Sequence, residues 1–128
     1  MKPTDTLIKA KRFDLEEARR KVMQLETMIA EFERMSGDLQ QQIASEEARA
    51  GISDPHHYAY PTFARAARQR RDNILASLTD LQVRLAEALE TRERAAADYE
   101  AVMQRQDRED DAPPRRTSSR RRRISVAL

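Results

Sequence analysis

The chain has 128 residues, of which 36% are charged, 5% are aromatic and only two are glycine, and its formal net charge is +2. A chain of this length has room for one domain, and so much charge is typical of coiled coils or disordered segments rather than of a globular core. The absence of cysteine excludes disulfide bonds and thiol chemistry. No stretch approaches the roughly 20 apolar residues of a membrane span, and the first residues lack the apolar run of a signal peptide, so we expect a cytoplasmic protein.

The first half of the chain carries a heptad repeat from Ile8 onward. Ten of its thirteen seam positions are apolar. In order, these positions hold Ile8, Lys11, Leu15, Ala18, Val22, Leu25, Ile29, Phe32, Ser36, Leu39, Ile43, Glu46 and Ala50. The pattern predicts a helix over about residues 5–50, with Thr4 or Thr6 as its N-cap. Ser36-Gly37 predicts either a tolerated interruption or a functional bend.

A segment without regular periodicity follows at residues 51–61. Gly51 is a residue that stops helices, and Pro55 and Pro61 each remove a backbone donor and push the preceding residue away from helical geometry. A helix cannot continue through this segment. We therefore predict a loop here, and we call it the hinge.

The second half predicts another helix of similar length, over about residues 62–108. Its d positions are all apolar, and a further apolar row at the e positions widens the stripe. The d row is Ala67, Ile74, Leu81, Ala88, Ala95 and Val102, and the e row includes Leu75, Leu89, Ala96 and Met103. Two equal helices around a short loop predict an all-α fold, a long antiparallel two-helix coiled-coil hairpin over residues 1–108. The alternative is a parallel dimer of chains interrupted by the loop.

Several apolar side chains lie off the strict seam, among them Met23, Met28 and Met35 and the e row of the second helix. They indicate either a broadened seam within the hairpin or a surface for other helices, for which adaptable methionines are suited.

Nothing in the sequence indicates an enzyme. A two-helix rod offers no concave site, and there is no glycine-rich phosphate loop. His56 and His57 are adjacent in an irregular loop, where neighbouring side chains rarely point at one metal ion. We expect no cofactor, no metal and no small-molecule substrate.

Aromatic and arginine side chains are concentrated at the hinge. The residues are Tyr58, Tyr60 and Phe63 with Arg65, Arg68, Arg70 and Arg71. These are residue types that anchor interfaces. They either cap the end of the coiled coil or bind a partner. Near the same end, Glu46 and Arg71 both occupy seam positions, and we predict an ion pair between them.

The small net charge conceals a separation of charge along the chain. Residues 1–111 contain 18 Lys and Arg against 22 Asp and Glu, whereas residues 112–128 contain six arginines and no acid. Few apolar residues accompany them, so residues 109–128 are predicted to be a disordered Arg-rich tail. The arginines leave three alternatives for this tail. It is solvated and has no dedicated role, or it docks to an acidic protein or membrane surface, or, less favoured, it binds polyanions and nucleic acid. They are Arg115, Arg116, Arg120, Arg121, Arg122 and Arg123.

With both helices and the hinge in view, the sequence resembles the FliJ family, the stalk protein of the flagellar type III export apparatus. The similarity covers about residues 1–108 and is carried by the basic start at residues 7–13, by Glu16-Glu17, by the break at the midpoint and by Tyr60-Pro61-Thr62-Phe63. The tail and the scarcity of aromatic residues on the second helix depart from longer members of the family.

The resemblance implies a coiled-coil stalk in the pore of a hexameric export ATPase, with its terminal end promoting ring assembly and its hinge end contacting the membrane protein of the export gate. It also implies peripheral association with the inner membrane at the flagellar basal body, and escort of export chaperones. The gate-binding residues would be Tyr58, Tyr60, Phe63, Ala67, Arg70 and Ile74. The ATPase-binding residues would be Leu7, Lys9, Lys11 and Phe13. A generic coiled-coil scaffold or secretion chaperone is the alternative.

Overall fold

The computed structural model describes residues 2–111, which form two α-helices, α1 (Pro3–Ala50) and α2 (Thr62–Asp111), joined by the hinge. The described part of the chain contains no β-strand. The two helices run antiparallel, because Thr4 near the start of α1 contacts Glu109 near the end of α2. The predicted all-α helical hairpin is confirmed.

Both helices extend slightly beyond their predicted bounds at the end that carries the termini. Lys2, in extended conformation, is the N-cap of α1, and Pro3 begins the helix because its fixed φ and missing N–H suit the first turn. The prediction that Thr4 or Thr6 is the N-cap was wrong, because the N-cap is Lys2, whose side chain makes no capping hydrogen bond. Thr4 is instead buried, and its hydroxyl donates a hydrogen bond of 2.9 Å to Glu109 Oε2.

Residues 109–111 belong to α2 and not to the predicted tail. A run of acidic residues at a helix C-terminus opposes the helix dipole, so it needs compensation. The start of α1 supplies this compensation, since Thr4 contacts Glu109 and Lys2 Nζ lies 3.6 Å from Asp110 Oδ1. The rest of the predicted tail, residues 112–128, lies outside the described residues.

The buried side chains follow the predicted seams and form a narrow core along the length of the rod. On α1 these are Thr4, Ile8, Leu15, Ala18, Val22, Leu25, Ile29, Leu39 and Ile43, and on α2 Ala64, Ala67, Leu78, Leu81, Ala88 and Val102. Val22 and Ile43 are the large side chains most completely buried. Ile74 packs against both a larger cluster in the middle of the rod and a smaller one near the hinge, so it joins the two parts of the core.

One register holds over the whole rod. Three cross-helix hydrogen bonds, Asp5 to Gln106, Arg12 to Tyr99 and Gln40 to Arg71, join residues whose numbers add to the same total. Neither helix therefore slips against the other between the termini and the hinge. α1 is continuous through Gly37, where an added Cβ would meet no atom within 4 Å.

The same register explains why the predicted pair of Glu46 and Arg71 was wrong. Arg71 lies opposite Gln40, and its Nη1 donates a hydrogen bond of 2.6 Å to Gln40 Oε1. Arg71 Nη2 lies 3.1 Å from Asp72 Oδ1, while Glu46 pairs with Arg49 of its own helix at 3.3 Å.

Within residues 2–111, neither helix has a segment apolar enough to cross a membrane.

Candidate functional site

The hinge is an ordered turn built from backbone hydrogen bonds. Gly51 adopts the left-handed conformation, with φ of 70°, and its N–H donates to the Glu47 carbonyl at 2.9 Å, so α1 ends in a glycine C-cap. Asp54 Oδ1 then accepts a hydrogen bond of 2.9 Å from the N–H of His56. His57 Nδ1 accepts one of 3.0 Å from the N–H of Ala59. Both histidines are therefore part of the turn.

No group of three or more metal-ligating side chains occurs among residues 2–111. His57 uses one ring nitrogen to hold the hinge backbone, which leaves fewer ligand atoms at this end.

Tyr60 fastens the hinge to both helices. Its side chain is only 4% exposed, and its hydroxyl donates a hydrogen bond of 2.8 Å to Glu47 Oε2 on α1. The guanidinium carbon of Arg65 lies 5.5 Å from the centre of its ring, and Arg68 Nη1 lies 4.0 Å from Glu47 Oε2. Burial, together with the Glu47 carboxylate, raises the pKa of Tyr60, while Arg68 acts in the opposite direction. The phenol is therefore kept protonated, as its role as donor requires.

The other two aromatic side chains of this end point outward. Tyr58 is 95% exposed and stacks on His57, with ring centres 4.7 Å apart, and Phe63 is 58% exposed in the first turn of α2. Large aromatic rings that are exposed at the end of a rod are available for a partner. Tyr58 and Phe63, but not Tyr60, thus form the accessible aromatic surface.

The residues that the resemblance assigns to the export gate divide into two groups. Phe63 and Arg70, which lie two turns apart on α2, are exposed. Ala67 is buried in the core cluster near the hinge, and Ile74 packs against it, so both residues contribute to the hairpin itself. We call Tyr58, Phe63 and Arg70 the hinge surface from here on.

The opposite end of the rod is held together by polar contacts between α1 and α2. Gln106 Nε2 donates a hydrogen bond of 3.0 Å to Asp5 Oδ1, and Lys11 Nζ lies 4.0 Å from Asp98 Oδ2. The Arg12 guanidinium lies over the Tyr99 ring, 5.8 Å from its centre. These contacts add to those of Lys2 and Thr4 and close the end that carries both termini.

The residues that the resemblance assigns to the ATPase lie at this terminal end, but they do not form one face. Lys9 and Phe13 are exposed, and Phe13 lies along a shallow groove with Lys11. Leu7 is half-buried against the hairpin. The structure therefore distributes these four side chains around the first turns of α1.

Two open grooves run along the sides of the hairpin. The larger has a volume of about 680 Å³ and includes Met23, Leu89 and Ala96 in its lining, and we call it the Met23 groove. The groove on the opposite side, of about 510 Å³, includes Phe13 and Lys21. Both are shallow and open along the rod, so they suit a helix or another elongated partner more than a small molecule.

Sequence reasoning missed the partners that fix each end. Glu47 of α1 accepts a hydrogen bond from Tyr60, and Thr4 holds Glu109 across the two helices. In the sequence, these residues are marked only by their places in the heptads near the two ends of the rod. Those places identify a pairing partner only once the register between the helices is known. The predicted tail arginines, from Arg115 to Arg123, lie outside the described residues.

Comparison with known proteins identified no relative: no family model, curated protein or solved structure matches this chain.

Proposed function

We propose that this protein is a non-enzymatic stalk and coupling factor of a flagellar-type protein export apparatus. Its terminal end would enter the pore of a hexameric export ATPase, and its hinge surface would contact the cytoplasmic part of the export-gate membrane protein. The protein would therefore act in the cytoplasm, at the inner face of the membrane. Escort of export chaperones remains a further prediction of the resemblance.

The observation that carries the proposal is the shape of the molecule. Each helix has about 50 residues, which at 1.5 Å per residue gives a rod of roughly 70 Å that is only two helices wide. A slender rod with a charged exterior and one register throughout is suited to fill the hole of a ring and to bind different partners at its two ends. The resemblance to the FliJ family, carried by residues 7–13, by the break at the midpoint and by residues 60–63, supports the same function.

The hinge surface supports contact with a protein partner at one end. Tyr58 and Phe63 supply rigid apolar area, and Arg70 supplies an exposed guanidinium two turns further along α2. Binding hot spots are enriched in tyrosine and arginine. Tyr60 and Ala67, which are buried, anchor the hinge and the start of α2 to α1, so the neighbouring exposed side chains are held on ordered backbone.

The first test is the activity of a flagellar export ATPase from the same organism, measured over a range of ATPase concentrations with and without this protein. We expect activation that is greatest at low ATPase concentration, where ring assembly limits activity, accompanied by ring formation in electron micrographs. No activation by the folded hairpin would reject the stalk function and favour a generic scaffold or secretion chaperone.

The second test addresses the hinge end. The double variant Phe63→Ala, Arg70→Ala should weaken binding to the gate protein by about tenfold or more without loss of helicity, because both side chains are exposed. A matched control is Val83→Ala, Arg84→Ala, which removes an exposed apolar side chain and an arginine from the middle of the same helix. Normal gate binding by the hinge variant, or equal weakening by the control, would contradict the assignment of the hinge surface.

A further inference from the structure

Four charged residues form a row on the side of α1 that faces the Met23 groove, and the two central ones, Arg19 and Glu26, line it. Arg12, Arg19, Glu26 and Glu33 are spaced seven residues apart on α1, so they lie along one side of that helix, and all four are exposed. The half of the row nearer the termini is basic, and the half nearer the hinge is acidic. The row spans about 30 Å of the rod.

Most of these charged side chains form no ion pair within the described hairpin. Arg19, Glu26 and Glu33 take part in none of the ion pairs found among residues 2–111, while Arg12 contacts only the ring and hydroxyl of Tyr99. The register that joins Arg12 to Tyr99 also places Arg92 at the level of Arg19, and both side chains line the groove. Glu26 and Glu93 line the same groove, so it carries two basic and two acidic side chains, and none of the four takes part in an ion pair found among residues 2–111.

The row is complementary to a reversed copy of itself. If a second hairpin lies antiparallel along this face, Arg12 meets Glu33 of the second copy and Arg19 meets its Glu26, and each contact occurs twice by symmetry. The centre of this arrangement falls beside Met23, which is 67% exposed. Charge complementarity of this kind fixes register and orientation in helical assemblies.

The apolar row on α2 has the same centre. Leu89, which the register places level with Val22, lines the Met23 groove, and Leu75 and Met103 lie 14 residues to either side of it on α2. Reversal of the rod about Leu89 therefore sets Leu75 against Met103 of the second copy and Leu89 against its own equivalent. Apolar and charged rows on two different helices thus point to one axis.

We propose that the protein forms an antiparallel homodimer through the Met23 groove, a four-helix assembly in which α1 faces α1 and α2 faces α2 of the second copy. Met23 and Leu89 lie at its centre, and the ion pairs of Arg12 with Glu33 and of Arg19 with Glu26 flank them. The dimer does not depend on the export function. It uses one side of the rod, from the level of Arg12 to that of Glu33, and the hinge surface lies outside it.

The test is sedimentation equilibrium of the full chain over about 1 to 200 μM. We expect a mass that rises toward twice 14.8 kDa, the mass of one chain. Met23→Glu should raise the dimer dissociation constant by about a hundredfold, because it brings two carboxylates together in the apolar centre. The matched control is Met28→Glu, an exposed methionine of the same helix outside the Met23 groove, which should leave the mass unchanged.

Charge reversal then tests the orientation. Arg19→Glu and Glu26→Arg should each weaken the dimer by about tenfold, because each turns two attractive contacts into repulsive ones. The double variant, Arg19→Glu with Glu26→Arg, should regain most of the lost affinity. Circular dichroism of each variant establishes that the hairpin is folded.

Three results would overturn the proposal: a wild-type chain that stays monomeric throughout, a dimer that withstands Met23→Glu, or a double charge variant no stronger than the weaker single variant. A folded monomer would mean that any partner of the Met23 groove is not a second copy of this chain. A dimer insensitive to these changes would use another face of the hairpin.

Discussion

Leu25→Ala is the perturbation that most directly tests how the two helices are held together. Leu25 is 3% exposed and lies in the larger core cluster with Leu81, which is 4% exposed. Substitution of a buried leucine by alanine costs about 2 to 5 kcal/mol, depending on how far the site collapses. In this hairpin the seam is only two helices wide, so water and neighbouring side chains can reach the site, and we expect about 2 to 3 kcal/mol.

A loss of this size is a large part of the stability of a small domain, which is of the order of 5 to 15 kcal/mol. We would measure it by urea unfolding followed by circular dichroism, with Val83→Ala as the control. Val83 is 54% exposed, and its replacement should change the free energy of unfolding by no more than about 0.5 kcal/mol.

The two variants should be compared at a concentration where the chain is monomeric, so that any self-association is not counted as stability of the hairpin. Equal effects of Leu25→Ala and Val83→Ala would refute the narrow-core interpretation. Such a result would mean that the helices are stable without this packing.

Three further predictions concern the hinge and the middle of α1. Tyr60→Phe removes the hydrogen bond to Glu47 and should cost about 1 kcal/mol in urea unfolding. The pKa of Tyr60 is raised in the folded state, so its contribution to the free energy of unfolding is fully present below the ordinary tyrosine pKa of about 10. This contribution is lost as pH rises through the pKa of the folded state. The wild type should therefore lose stability at high pH, and Tyr60→Phe should lose less. Gly51→Ala should lower the melting temperature, since φ of 70° costs a residue with Cβ about 1 kcal/mol. Gly37→Ala should raise the melting temperature, through a gain of about 1 kcal/mol in the free energy of unfolding, because a Cβ there meets nothing within 4 Å.

The seam could be predicted from the sequence because burial on a helix repeats with a fixed period. Every buried aliphatic residue of α1, from Ile8 to Ile43, falls on a predicted a or d position. The hinge could be located because glycine and proline restrict the backbone wherever they occur, and Gly51 indeed ends α1. These are local rules, and they need no knowledge of the partner helix.

Pairing across the helices could not be predicted, because it depends on how far the hinge displaces one helix against the other. Arg71 and Glu46 share seam positions in sequence, but the register places Arg71 beside Gln40. Likewise, Tyr60 and Phe63 are close in sequence, and only the path of the hinge decides that Tyr60 is buried and Phe63 exposed. The loop has no period from which this difference follows.

The two proposed roles use different parts of one rod, and this creates a competition between them. A stalk must be free along its length to enter a ring, whereas the antiparallel dimer covers the Met23 groove in the middle of the rod and places the two hinge surfaces at opposite ends. Chains held in the dimer are therefore removed from the pool that can enter a ring. Met23→Glu, which weakens the dimer and leaves the hinge surface and the terminal end unaltered, should activate the ATPase at a lower total concentration of this protein than the wild type does. Met28→Glu should behave like the wild type in the same assay, and a lower activity of Met23→Glu would show instead that the Met23 groove itself contacts the ring.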